Sequence, residues 1–395
     1  MTRTMKKKCL SGLWYLSIAL CVLSASIFRY DLAWAQPAAD AASPVSDAVI
    51  KLVGFCQNPQ GGFDEKAAYV LIDYVLKNKP KKELALPGIQ EATGAYYEFD
   101  TKVNFANFLK YSFNHQIPAS LTSPSSLRYS IWNGQPGPSQ RMPANWRKIS
   151  PADEPFILRG IQRDAITPDL TTGVYYEYDL QKTLILLNYK GRQALVTISK
   201  QVDKSNVGKK GVILGSDDDW NYYYSDEPGS ARSGLGWVKS YIYDFFSVAV
   251  YVETTPGDNG VRSGFFQWIR AGWSGVNFVQ AEHVIKGMKR YARNFNAIME
   301  SPQLPPAEKI VATYQRLAAL PGAELRQQYT ALREAQKALA VESGKIKRPA
   351  EAGKDLASSV SKEQIMEELM LEYFKISMGK NSLLSAKQFL ALISH

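Results

Sequence analysis

The sequence contains very little cysteine. Its 395 residues include three cysteines, and Cys9 and Cys21 lie within the first 35 residues. Only Cys56 follows that segment, which excludes an intramolecular disulfide in the remaining chain. We expect Cys56 to be a buried, inert thiol because it follows an apolar stretch. A single cysteine also cannot build a structural zinc site of the usual kind.

Histidine and the familiar enzyme motifs are scarce as well. The three histidines include the terminal residue His395, and neither His115 nor His283 stands in a pattern typical of proton transfer. There is no H-E-x-x-H sequence and no nucleotide-binding glycine loop, and the segment at 272–275 lacks the spacing of a G-x-S-x-G nucleophile elbow. The sequence therefore argues against a cofactor-dependent or nucleophile enzyme of a familiar kind and predicts no cofactor.

The first 35 residues have the organisation of a secretory signal peptide. A basic start is followed by an apolar run over residues 9–28, and Ala33-Trp34-Ala35 provides a small-x-small cleavage site. We expect cleavage before Gln36 and a periplasmic or secreted protein. The alternative is a retained inner-membrane anchor, since about 20 apolar residues also span a bilayer. Removal of residues 1–35 takes away five basic residues and one acidic residue and lowers the formal charge from +10 to +6.

Composition divides the remaining chain into three parts. Residues 36–45 predict a flexible linker, residues 46–280 an α+β domain, and residues 281–395 a helical region with a linker near 344–359. Helical spacing of apolar residues indicates two short helices between 46 and 79 and further helices from about residue 280. Alternating β-branched and aromatic residues predict strands over most of 172–273, whereas 117–170, rich in Pro, Ser and Gly, predicts an irregular cover over the sheet.

An eight-residue pattern occurs twice. Thr93–Asp100 reads TGAYYEFD and Thr172–Asp179 reads TGVYYEYD, and an apolar segment ending in tyrosine follows each copy. The similarity predicts a repeated strand hairpin. Its alternation predicts an antiparallel sheet with one face on a core and the other in water. The expected fold is therefore α+β: an antiparallel sheet with a repeated hairpin, covered by N-terminal helices and a C-terminal helical region.

Carboxylates are the remaining candidates for chemistry. Two Asp/Glu groups about 5–10 Å apart can cleave a glycosidic bond, and the polar positions of the repeat supply two pairs. An acidic turn near residue 218 offers hard oxygen ligands, although the EF-hand pattern is absent, so a metal site is not the favoured interpretation. The candidate catalytic residues are Glu98, Asp100, Glu177 and Asp179, and the candidate metal ligands are Asp217, Asp218 and Asp219.

Aromatic residues are concentrated between 220 and 273. Rings in strands usually fill a core, but an exposed row of rings would form a groove for a lipid or a glycan. The candidate ligand-binding residues are Trp220, Tyr222, Tyr224, Trp237, Trp268 and Trp273.

The favoured function is a non-enzymatic binding or assembly protein of the bacterial envelope. A lipid, a glycan or an envelope protein is the expected partner, and nucleic acid is not, because no zinc-finger spacing or dense Lys/Arg segment is present. Membrane association would use an uncleaved leader or a basic helix face formed by Lys286, Lys289, Arg290 and Arg293. The alternative is a carboxylate-dependent hydrolase acting on a polysaccharide.

Overall fold

The computed structural model describes residues 42–58, 60–77, 79–80, 82–133, 154–232, 236–346 and 360–394. The predicted leader, most of the linker at 36–45 and most of the linker at 344–359 therefore lie outside the described residues. The helices are α1 (Ala42–Gln57), α2 (Glu65–Lys77), α3 (Phe105–Ser112), α4 (Ala119–Thr122), α5 (Ala281–Met299), α6 (Ala307–Ala319), α7 (Gly322–Glu342), α8 (Lys362–Ser377) and α9 (Ala386–Ser394). The strands are β1 (Glu83–Ile89), β2 (Ala92–Thr101), β3 (Leu127–Asn133), β4 (Phe156–Ile166), β5 (Val174–Tyr175), β6 (Glu177–Tyr189), β7 (Arg192–Gln201), β8 (Lys209–Ile213), β9 (Tyr222–Pro228), β10 (Ser230–Arg232), β11 (Gly236–Val238), β12 (Tyr241–Glu253), β13 (Val261–Trp273) and β14 (Val276–Asn277).

Nine of these strands form one antiparallel sheet. Its order is β1-β2-β13-β12-β7-β6-β4-β3, with β14 added to β13. Strands β5, β8 and β9 form a small second sheet, and β10 pairs with β11. The predicted α+β fold, with a large antiparallel sheet and helices at both ends of the chain, is confirmed.

Both faces of the large sheet are covered by helices. On one face, here called the α1 face, Val196, Val250 and Phe266 share a core with residues of α1 and α2. On the opposite face, here called the α5 face, Leu184 and Ala249 share a core with residues of α3 and α5. A third core lies between the small sheet and the C-terminal helices. Among the described residues, no helix is long and apolar enough to span a membrane.

The prediction of one solvated sheet face is wrong for β2. Glu98 is 0% exposed, and its cross-strand partner Gly264 lies so close to α2 that an added Cβ would be 2.3 Å from Val75 Cγ2. The polar–apolar alternation of β2 is real, but α2 packs over its polar positions as well. Burial here depends on a helix from elsewhere in the chain, which a local pattern does not specify.

The two copies of the repeated octapeptide lie in different structural contexts. The first copy lies within β2, and the apolar segment after it forms helix α3. The second copy is divided between β5 and β6, and its apolar segment continues β6 itself. Strands β2 and β6 share the large sheet, but the octapeptide precedes a helix in one case and a strand in the other. The sequence similarity therefore does not produce equivalent hairpins.

The segment 117–170 contains regular structure where an irregular cover was predicted. It includes α4, β3 and β4, and β3 pairs only with β4 in the described sheet. The Pro- and Gly-rich centre at 134–153 lies outside the described residues. The strands escaped prediction because β3 is stabilised by pairing with β4, and β4 by pairing with β6, which follows in the sequence.

Candidate functional site

The predicted catalytic acids on β2 are engaged in local interactions. Tyr96 Oη donates a hydrogen bond to Glu98 Oε2. Arg262 binds Asp100 through two hydrogen bonds, of 2.7 Å from Nε and 3.0 Å from Nη2. Such a bidentate pair fixes the carboxylate and satisfies both of its oxygens.

The predicted acids on β6 are far from those on β2. Asp179 forms an ion pair with Arg163, with 3.1 Å between Oδ1 and Nε. Glu177 lies two residues before Asp179 on the same strand. Strands β13, β12 and β7 separate β2 from β6, and four spacings of about 4.8 Å place them about 19 Å apart. That exceeds the separation of the two carboxylates in glycosidases. The structure does not bring the two pairs of acids together.

The acidic turn binds arginines of helix α5. Asp217–Asp219 form one turn of 3₁₀ helix, capped by Ser216. Arg290 Nε donates to Asp217 Oδ2 at 2.8 Å, and Arg293 Nη2 donates to Asp218 Oδ1 at 3.2 Å. Among the described residues there is no group of three or more His, Cys, Asp or Glu side chains that could hold a metal ion. The turn therefore anchors α5 to the small sheet.

Three of the predicted ligand-binding rings belong to the core. Trp220, Tyr222 and Tyr224 are all at most 4% exposed. The indole of Trp220 donates to Asn294 Oδ1 at 2.9 Å and stacks on Phe374 at 6.1 Å. These rings fill the interface between the small sheet and the C-terminal helices.

The other predicted rings have different surroundings. Trp268 is 0% exposed, stacks on Phe246 at 5.3 Å and donates to the Pro87 carbonyl at 2.9 Å. Trp237 lies in β11, and its side chain is outside the described residues. Trp273, at the end of β13, is partly exposed and stacks on Phe278 at 5.0 Å. Among the candidate rings that the structure describes, only Trp273 reaches the surface.

The basic side chains of α5 all have acidic partners. Lys286 pairs with Glu282 within the helix, and Lys289 pairs with Glu83 of β1. Arg290 and Arg293 bind the acidic turn, as described above. The four residues therefore do not form a uniformly cationic face.

A row of polar side chains crosses the α5 face of the large sheet. Lys182, Ser199, Ser247 and Gln267 are consecutive cross-strand partners on β6, β7, β12 and β13. The row continues onto the neighbouring strands β4 and β3 on the same face. We call this set the polar band; it comprises Ser130, Gln162, Asp164, Lys182, Ser199, Ser247 and Gln267.

The charged members of the polar band are connected through a glutamine. Lys182 Nζ donates to Gln162 Oε1 at 3.1 Å, and Gln162 Nε2 donates to Asp164 Oδ1 at 2.8 Å. Burial lowers the pKa of Lys182 and raises the pKa of Asp164, and each charge partly offsets the effect on the other. Lys182, Ser247 and Gln267 nevertheless remain partly exposed. The band thus combines a lysine and an aspartate joined through a glutamine with accessible polar groups.

Aromatic rings border the polar band. Trp132 lies so close to Gly160, the cross-strand partner of Lys182, that an added Cβ would be 2.3 Å from its Cζ2. Tyr178 and Phe245 contact each other with ring centroids 6.0 Å apart, and both are partly exposed. The band is therefore flanked by three aromatic side chains that are partly exposed.

Helix α8 borders the band at the β3 edge of the sheet. Glu367 Oε2 accepts hydrogen bonds from the Ser130 backbone at 2.9 Å and from Ser120 Oγ at 3.0 Å. Burial raises the pKa of Glu367 to about 8. Its neighbour Glu368 forms a buried ion pair of 2.9 Å with Arg128. These contacts hold α8 on β3, whose outer edge has no strand partner among the described residues.

Sequence reasoning missed the polar band. One local signal was available, because Lys182 interrupts the alternation Leu180–x–Lys182–x–Leu184 at an apolar position of β6. Gln162 and Asp164 were hidden in a segment interpreted as irregular, and Glu367 lies on a helix about 200 residues further along. No spacing within a single element relates these residues.

Comparisons with known proteins provide little information about this chain. No protein family and no curated protein sequence matches the chain. A solved structure, the human StarD13 (DLC2) lipid transfer and protein localization domain, aligns with 60% of this chain and 95% of its own, at 9% identity and a TM-score of 0.26. Similarity at that level carries no argument about fold or ligand.

Proposed function

We propose that the chain is an exported, non-enzymatic binding protein of the bacterial envelope that holds a small polar ligand on the polar band. The observation that carries this proposal is the row of polar side chains on an otherwise apolar sheet face, of which Ser130, Lys182, Ser247 and Gln267 are partly exposed. Burying polar groups costs free energy unless they are hydrogen-bonded. A ligand that completed these hydrogen bonds would offset that cost.

Binding is favoured over polysaccharide hydrolysis. The four acids first considered for hydrolysis lie on strands about 19 Å apart, and Asp100 and Asp179 are each paired with an arginine. The polar band contains donors and acceptors for recognition, whereas the hydrolase hypothesis requires two carboxylates facing one bond. Export and a periplasmic or secreted location belong to the same proposal and are supported by the sequence of residues 1–35.

Native mass spectrometry tests the proposal on protein purified gently from its own envelope. We expect a bound small molecule that is present in the wild type and in Lys309→Met, a control on the exposed surface of α6, but reduced in Lys182→Met. Because Lys182→Met leaves Asp164 without its nearby cation, Gln267→Leu provides a second and milder variant. A wild-type protein that carries no ligand, or a ligand retained by both band variants, would overturn the proposal.

A further inference from the structure

The hydrogen-bonding groups of the polar band select a chemical class of ligand. Lys182 donates a hydrogen bond to Gln162 and Asp164 accepts one from it, while the glutamine amides and serine hydroxyls of the band can both donate and accept. A set of side chains that offers both donors and acceptors matches a molecule whose own groups also do both. Neighbouring hydroxyls have this property, whereas a carboxylate or phosphate requires donors alone.

The charge of the band points in the same direction. Lys182 and Asp164 are linked through Gln162 by hydrogen bonds of 3.1 Å and 2.8 Å, so the cation and the anion balance each other within the site. Neither an anionic nor a cationic ligand would find an unbalanced partner there. Burying a charged ligand without such a partner is strongly unfavourable.

The bordering rings supply the apolar part of the recognition. Trp132 lies against Gly160 of β4, the cross-strand partner of Lys182. Tyr178, on the same strand as Lys182, contacts Phe245 of β12. A sugar ring presents hydroxyls at its edge and C–H groups on its faces, so it contacts polar groups and aromatic rings together. A fatty acyl chain would instead displace water from the partly exposed Lys182, Ser247 and Gln267 without replacing its hydrogen bonds. The apolar half of the α5 face is already filled by α3 and α5.

From these observations we infer that the polar band binds a neutral, hydroxyl-rich ligand of the carbohydrate class. The inference rests on the proposed binding function and narrows it to one kind of molecule. Within the site, the partly exposed Lys182, Ser247 and Gln267 would bind ligand hydroxyls, and Trp132 would contact a face of the sugar ring.

Isothermal titration calorimetry on the mature chain tests the ligand class. The probes are three neutral oligosaccharides (cellobiose, maltotriose and di-N-acetylchitobiose), one acidic sugar (glucuronate) and one fatty acid (palmitate). We expect at least one neutral oligosaccharide to bind, with an affinity at least about tenfold lower for Gln267→Leu and Trp132→Phe and unchanged for Lys309→Met. A tenfold change corresponds to about 1.4 kcal/mol. Thermal unfolding of each variant separates lost recognition from lost folding.

Two results would overturn the ligand class. One is binding of palmitate or glucuronate that the band variants weaken, in which case the binding function itself would stand. The other is failure of every neutral oligosaccharide to bind a folded wild-type chain. The proposed function would fail separately, if the protein from its own envelope carried no small molecule at all.

Discussion

At the scale of single residues, Gly160 shows how a small residue shapes the candidate site. The indole of Trp132 occupies the space where a side chain would begin, so Gly160→Ala must displace it. Overpacking of this kind costs about 1–3 kcal/mol of unfolding free energy. We expect that loss in chemical denaturation, together with a shift of tryptophan emission. Gly54→Ala, at a helical position with open space around it, is the control, and equal stability of the two variants would contradict the interpretation.

A second residue-scale prediction concerns the protonation of Glu367. Burial raises its pKa from 4.5 to about 8. At a pH between these two values, Glu367 is protonated in the folded chain and ionised in the unfolded chain. The resulting stabilisation is complete below the unfolded pKa and is lost as pH rises toward 8. We expect the free energy of unfolding to fall by about 2–3 kcal/mol over about two pH units within this window.

Glu367→Gln should remove most of that pH dependence, since the amide does not titrate. The exposed Glu363, on the same helix α8, provides the matched control, and Glu363→Gln should retain the wild-type slope. Urea denaturation at about pH 5.5 and about pH 7.5 measures both variants. A wild-type slope in Glu367→Gln would show that Glu367 is not the group responsible.

At the scale of elements, the attachment of α8 to β3 depends on a buried ion pair. The side chains of Arg128 and Glu368 are 7% and 6% exposed, and Arg128 also lies 4.0 Å from the ring centroid of Tyr224. Arg128→Met leaves Glu368 as an unpaired buried charge, which should cost about 3–5 kcal/mol. Denaturation should show a smaller loss for the double variant Arg128→Met/Glu368→Gln and almost none for the exposed Arg326→Met. A double variant as unstable as the single one would refute this explanation.

The elements that the sequence predicted correctly are those with a strong local period. A helix was expected from about residue 280, and α5 spans Ala281–Met299, because its apolar residues repeat every three or four positions. Strands were expected over most of 172–273, and β12 lies there as one long strand with an irregularity between Ile242 and Asp244. Both elements could be predicted because their patterns involve residues that are close together in the sequence.

The elements and site residues that escaped prediction depend on distant neighbours. Strands β3 and β4 lie in a segment rich in Pro, Ser and Gly, and the pairing of β3 with β4 and of β4 with β6 outweighs that composition. Glu98 is buried because α2 packs over it. Asp164 interacts electrostatically with Glu367 because α8, which is distant in the sequence, lies at the β3 edge of the sheet. The sequence also did not determine which aromatic rings line a core: Trp220 is buried and Trp273 is partly exposed, although both lie in the same aromatic-rich segment.

At the scale of the whole molecule, two helical layers leave different surfaces on the same sheet. The α1 face is apolar across its centre, and α1 and α2 cover it. The α5 face changes from apolar residues under α3 and α5 to the polar band nearer α8. The candidate site therefore lies where the apolar cover of the sheet ends, and its polar composition follows from that position.

The last prediction concerns residues 1–35 and the location of the chain. If they are an export signal, intact-mass measurement of protein from its own envelope should find a chain that begins at Gln36, with five fewer basic residues and one fewer acidic residue. Small side chains at the cleavage site are required for processing, so Ala35→Leu should retain the leader and hold the protein at the membrane. Ala39→Leu, beyond the site, should be processed normally. A full-length wild-type chain in the membrane fraction would instead identify the leader as an anchor, and the polar band would then act beside the bilayer.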